Sequence, residues 1–135
     1  MTEPLILLVD DSALVRDALR LLFEETGHRV AEAGSVAETV AACRAERPAV
    51  MLLDLTLPDG DGLGAIPLLR AAGVLPPVVV ALTGHDDPAT VERCRQAGCR
   101  EVLLKPVATR ELLRKVKGWV GESDSGPGDA RPGTG

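Results

Sequence analysis

The sequence predicts an α/β fold, a doubly wound five-stranded parallel sheet with helices on both faces. Three observations point to it. Five short apolar runs alternate along the chain with five segments of helical character, the order expected of right-handed βαβ units. Runs such as Val50 to Leu53 and Val78 to Leu82 are continuously apolar, as strands covered on both faces are. The length of 135 residues, 45% of them hydrophobic, suits one domain with one core.

Pro4 to Val9 reads as the first strand, ended by Asp10-Asp11-Ser12. A helix follows from Ser12 to Thr26, with Leu14, Ala18, Leu21 and Leu22 as its expected buried face and Gly27 as its stop. Arg29 to Glu32 is a short strand. Ser35 has the position of an N-cap and Glu38 that of its capping-box partner, opening a helix to about Ala45. Val50 to Leu53 delivers Asp54 to a strand's carboxyl end, and Pro58-Asp59-Gly60-Asp61-Gly62 is turn chemistry. The next helix is predicted over Leu63 to Ala72, where Pro67 marks a kink or a late start.

Val78 to Leu82 is the fourth strand and Thr83-Gly84-His85 its exit. Asp86-Asp87-Pro88 has the order of a cap followed by a first-turn proline, so a helix runs to about Ala97. Arg100 to Leu104 is the fifth strand, closed by Lys105-Pro106, and Ala108 to Trp119 the last helix. Residues 1–120 are thus expected to be the folded domain. Residues 121–135, rich in Gly, Ser, Asp and Pro, are expected to be a disordered tail or a linker.

A formal net charge of −5 leaves no basic stripe, so direct nucleic-acid binding is not expected. There is no long uncharged apolar run and no basic leader at the start, which predicts a cytoplasmic protein without a membrane partner. Cys43, Cys94 and Cys99 fall in periodic segments and read as small buried hydrophobes of a reducing compartment. Phe23 and Trp119 are the sole aromatic residues, so the core must be Leu, Val and Ala.

Asp10, Asp11, Asp54, Thr83 and Lys105 all stand at the carboxyl ends of apolar runs. In an open α/β sheet such ends line one edge, where ligands bind. Three carboxylates gathered there repel, by roughly 1 kcal/mol per pair at about 4 Å in water and about 4 kcal/mol at an effective dielectric near 20. A hard divalent cation of Mg²⁺ size fits an all-oxygen cluster and leaves room for a phosphate. Lys105 offers a point charge and Thr83 a hydroxyl to an anion beside Asp54. That set equips Asp54 to take up a phosphoryl group.

On these residues the chain resembles the receiver domain of two-component response regulators. The matching motifs are Val9-Asp10-Asp11-Ser12, Leu53-Asp54 with Pro58 and Gly60, Ala81-Leu82-Thr83-Gly84, and Ala97-Gly98 leading to Lys105-Pro106. The resemblance implies a flavodoxin-like sheet of order 2-1-3-4-5, phosphorylated on Asp54 by the phosphohistidine of a sensor histidine kinase or a histidine phosphotransfer protein. It further implies Mg²⁺ held by Asp11, Asp54 and the Thr56 carbonyl, with Asp10 acting through water, and Lys105 and Thr83 on the phosphoryl group. The domain would catalyse its own phosphotransfer and slow dephosphorylation, with Thr56 and His85 flanking the path of water. Receivers usually carry Tyr or Phe three residues before the lysine; here Val102 has no ring to rotate, so the switch and its output partner stay open.

Other readings stand beside this one. Asp10-Asp11-Ser12 could simply cap a helix, and Asp59 and Asp61 read as turn residues. Gly60-Asp61-Gly62-Leu63-Gly64-Ala65 fits a dinucleotide pattern formally, but its neighbouring carboxylates would repel a pyrophosphate. An aspartate-nucleophile phosphatase of the haloacid dehalogenase class uses similar groups, yet places its nucleophile in Asp-x-Asp on the first strand. A receiver-fold binding module that works without phosphorylation is the other alternative.

Overall fold

The computed structural model describes residues 3–85 and 87–125. Five parallel strands form the main sheet: β1 (Leu5–Val9), β2 (Arg29–Ala33), β3 (Val50–Asp54), β4 (Val78–Thr83) and β5 (Glu101–Leu104). Their order across the sheet is 2-1-3-4-5. The helices are α1 (Ala13–Glu25), α2 (Val36–Ala45), α3 (Ala65–Ala72), α4 (Pro88–Ala97) and α5 (Thr109–Ser125). A two-residue antiparallel ribbon, Thr56–Leu57 with Gly60–Asp61, follows β3. Among the described residues no helix is long and apolar enough to cross a membrane.

Because side chains alternate along a strand, each apolar run feeds two cores. Leu7, Val9, Met51, Leu53, Val79 and Ala81 face one side and pack with Cys43, Ile66, Leu69 and Cys94 from α2, α3 and α4. Ile6, Leu8, Val50, Leu52, Val78 and Val80 face the other and pack with Phe23 of α1 and Leu112, Val116 and Trp119 of α5. The helices therefore divide three to one face and two to the other. The cysteines are free, and burial pushes the Cys43 thiol up to about 11 and the Cys99 thiol up to about 12, which agrees with their reading as packing groups.

Capping follows the sequence closely. Ser12 Oγ accepts from the Val15 N–H, and Ser35 Oγ from the Glu38 N–H. The Glu38 carboxylate reaches the N–H of Gly34, one residue earlier than the capping box predicts. Asp87 caps α4, with Pro88 in its first turn. Pro67 falls in the first turn of α3 after a 3₁₀ turn over Gly62–Gly64, so it marks a late start and not a kink.

Two expectations need correction. Of the α1 residues expected to be buried, Leu14 is 80% and Leu21 56% exposed, Ala18 is exposed too and Leu22 is half-buried, and the helix seats Phe23 and Leu19 on the sheet instead. The helix carries two apolar stripes, and spacing alone does not say which one faces inward. The last helix does not stop at Trp119 but continues to Ser125. Arg100 reaches Glu122 with Nη1 to Oε1 at 2.7 Å, which anchors the added turn to the start of β5. The rest of the expected tail, residues 126–135, lies outside the described residues.

Candidate functional site

Strand register brings the expected residues to one edge. Val9 of β1 pairs with Leu53, Asp54 of β3 with Leu82, and Thr83 of β4 with Leu104, so the carboxyl ends of four adjacent strands lie side by side. Asp10 follows β1, its N–H still bonded to the Ala33 carbonyl at 3.1 Å. Lys105 follows β5, its N–H on the Thr83 carbonyl at 2.8 Å. Asp10, Asp54 and Thr83 are only 5%, 6% and 5% exposed, while Asp11 stands open to solvent.

The Lys105 ammonium sits between two of the carboxylates, 3.1 Å from Asp10 Oδ2 and 3.2 Å from Asp54 Oδ2. Burial works against its charge. The hydrogen bond to Asp10 and the charges of Asp10 and Asp54 outweigh that and hold its pKa above the ordinary lysine value. The remaining oxygens are also oriented. Asp10 Oδ1 accepts from the Ser12 N–H at 2.9 Å, and Asp54 Oδ1 from the Thr56 N–H at 3.1 Å. Thr83 Oγ1 accepts from the His85 N–H at 3.0 Å, which leaves its proton free to donate elsewhere. The Thr56 side chain, on the short ribbon after β3, and the His85 side chain, on the loop after β4, are both exposed beside the pocket.

Oxygens of Asp10, Asp11 and Asp54 lie within 4.8 Å of one another. Three carboxylates against one ammonium leave two negative charges, which a divalent cation balances. Opposite oxygens around Mg²⁺ bound at about 2.1 Å are about 4.2 Å apart, so small side-chain rotations or a bridging water complete the fit. The donor set is all oxygen and therefore suits a hard cation.

The two acidic turn residues do more than turn. Asp59 accepts from the N–H groups of Val36 at 2.7 Å and Ala37 at 3.1 Å, tying the loop after β3 to the start of α2. Those two backbone donors hold its carboxyl below the ordinary aspartate range. Asp61 caps the 3₁₀ turn through the Leu63 N–H and pairs with Arg93 of α4. The glycine pattern has a steric explanation: a Cβ on Gly62 would lie 2.1 Å from the Asp54 carbonyl oxygen.

The sequence matches the profile of the family described as the response regulator receiver domain over residues 6–117. The transcriptional regulatory protein AfsQ1 of Streptomyces coelicolor is 32% identical over 124 residues, covering 90% of this chain and 54% of its own length. The DNA-binding response regulator MtrA of Mycobacterium tuberculosis is 31% identical over 124 residues, covering 92% and 54%. The chain thus spans about half the length of the curated relatives it matches. Among solved structures, the CheY-like response regulator receiver domain protein from Methanospirillum hungatei JF-1 superposes with a TM-score of 0.83 at 25% identity, over 93% of this chain and 100% of that one. The receiver domain of the sensor histidine kinase PA1611 from Pseudomonas aeruginosa PAO1, with a magnesium ion coordinated in its active site cleft, gives 0.75 at 29% identity, over 89% and 99%.

Proposed function

The chain belongs to the response regulator receiver family, whose general function is a phosphorylation switch, and from that premise we propose that Asp54 is its phosphoryl acceptor. The donor is the phosphohistidine of a sensor histidine kinase or a histidine phosphotransfer protein. The observation that carries this reading is the Lys105 ammonium lying within 3.2 Å of Asp54 in a pocket that also holds Asp10, Asp11 and Thr83.

In the proposed reaction an Asp54 carboxylate oxygen forms a bond to phosphorus while the P–N bond of the donor breaks, its electron pair returning to the imidazole. Lys105 and the Thr83 hydroxyl then hold phosphoryl oxygens, and the buried surroundings strengthen both contacts. Asp11, Asp54 and the Thr56 carbonyl would hold Mg²⁺, with Asp10 acting through water; the ion supplies charge neutralisation for the transferred group. Thr56 and His85, exposed at the rim, flank the path of water in the slow hydrolysis that resets the switch.

For the donor we assign the face of α1. Its exposed stripe of Leu14, Ala18 and Leu21 adjoins a largely apolar groove of about 460 Å³, lined by Val15, Leu19, Pro106, Val107 and Leu112 and opening beside Asp10 and Lys105. A helix bearing a phosphohistidine could lay its apolar side there with the phosphoryl group over Asp54. The module works in the cytoplasm. Half-buried Val102 has no ring, so output passes through the loop after Thr83 or another surface to a partner not identified by this chain.

Incubation with acetyl phosphate and Mg²⁺ followed by intact mass tests the reading. One added phosphoryl group in the native chain and none in Asp54→Asn is the expected result. No addition to the native chain supports a module that works without phosphorylation; multiple turnover of a free phosphomonoester supports the phosphatase.

A further inference from the structure

Asp10 and Asp11 are joined by one peptide, and the orientation of that peptide sets where both carboxylates point. Arg16, in the first turn of α1, holds it. Its Nη1 donates to the Asp10 carbonyl oxygen at 2.5 Å, and its Nε donates to Glu32 Oε1 of β2 at 3.0 Å. Glu32 also pairs by charge with Arg20, whose Nε lies 2.8 Å from Oε2 without the alignment of a hydrogen bond. The Arg16 side chain is only 19% exposed, held between a backbone carbonyl and the Glu32 carboxylate.

Gly34 makes room for this clamp. A Cβ there would stand 2.9 Å from Arg16 Nη1 and 3.3 Å from Glu38 Oε1. Gly34 is not one of the glycines with positive φ, so what the position requires is space and not backbone freedom. The planar guanidinium suits this task, since one fork serves two acceptors in a fixed plane.

We propose that Arg16 is a positioning residue for the acidic pocket: acting through the Asp10 carbonyl, it holds the Asp10–Asp11 peptide so that both carboxylates face Asp54. This rests on reading the pocket as a cation and phosphoryl site. Arg16 touches neither the cation nor the phosphoryl group, and its effect is to preorganise the oxygens that do. Partners of this kind commonly change metal affinity by about tenfold or more when removed.

The test is calorimetric titration of the unphosphorylated chain with Mg²⁺ alone, beside urea unfolding in chelator. Arg16→Met is expected to weaken Mg²⁺ binding about tenfold. Gly34→Ala meets only the ends of the Arg16 and Glu38 side chains and no backbone atom, so it is expected to unfold close to the native midpoint while weakening Mg²⁺ binding in the same direction. It decides the matter if Arg16→Met does not fold. Native Mg²⁺ affinity in both variants overturns the inference and leaves the pocket reading standing, as does lost stability with unchanged affinity. A native chain that binds no Mg²⁺ overturns the pocket reading itself, and the inference with it.

Discussion

Replacing Gly62 by alanine puts a methyl group 2.1 Å from the Asp54 carbonyl oxygen and 3.1 Å from both the Asp54 carbonyl carbon and Leu55 Cα. Carbon and oxygen in contact stand about 3.3 Å apart, so the overlap exceeds about 1 Å. All three atoms are backbone, and no side-chain rotation relieves them. The Gly62 N–H is also bonded to the Leu55 carbonyl at 2.8 Å, so the segment moves aside only by giving up that bond or by shifting the end of β3. Overpacking strain of about 1–3 kcal/mol and one hydrogen bond worth about 1 kcal/mol together give an expected loss of about 2–4 kcal/mol. Gly64→Ala is the control. Nothing lies within 4 Å of its added Cβ and its φ of −65° is ordinary helical backbone, so restricting the unfolded chain should stabilise it by about 0.4–1 kcal/mol. Urea unfolding followed by the fluorescence of buried Trp119, the one tryptophan, measures both. Equal midpoints and slopes for the two variants would refute the steric argument.

Two further outcomes follow from the packing and the caps. Phe23→Ala is expected to cost about 3–5 kcal/mol, whereas Leu14→Ser and Leu21→Ser stay within about 0.5 kcal/mol of the native chain; the same urea experiment checks which stripe of α1 faces the sheet. Asp59 has its folded pKa lowered by the Val36 and Ala37 N–H groups, so its contribution to stability is full above its unfolded pKa and is lost as pH falls through the folded value. Asp59→Ala should therefore be less stable than the native chain at neutral pH, with the gap closing under acid; a gap that widens on acidification would contradict the assigned cause.

What the sequence made legible was whatever depends on local chemistry. The strands announce themselves because parallel strands buried on both faces need continuous apolar runs, and Ser12, Ser35 and Asp87 announce helix starts because their caps bond to residues three ahead. The pocket was legible because the rule for strand tips converts chain position into spatial proximity. Long-range partners were not. Asp59 looks like any turn aspartate until α2, 22 to 23 residues earlier, presents its free N–H groups. Arg16 looks like a solvated helix residue until β2 places Glu32 against it. The α1 stripe failed for a related reason: two apolar stripes compete, and the sheet selects the one with Phe23. Helix α5 runs past Gly121 because Arg100 holds Glu122, a contact that composition cannot register.

The central claim is that Asp54 itself receives the phosphoryl group, and chemical mapping tests it most directly. After treatment with acetyl phosphate and Mg²⁺, borohydride reduces an aspartyl phosphate to homoserine, which peptide mass spectrometry then locates. The account predicts homoserine at position 54 alone, dependent on Mg²⁺. Its appearance at position 10 or 11, or its absence from every position while the donor is consumed, would contradict it.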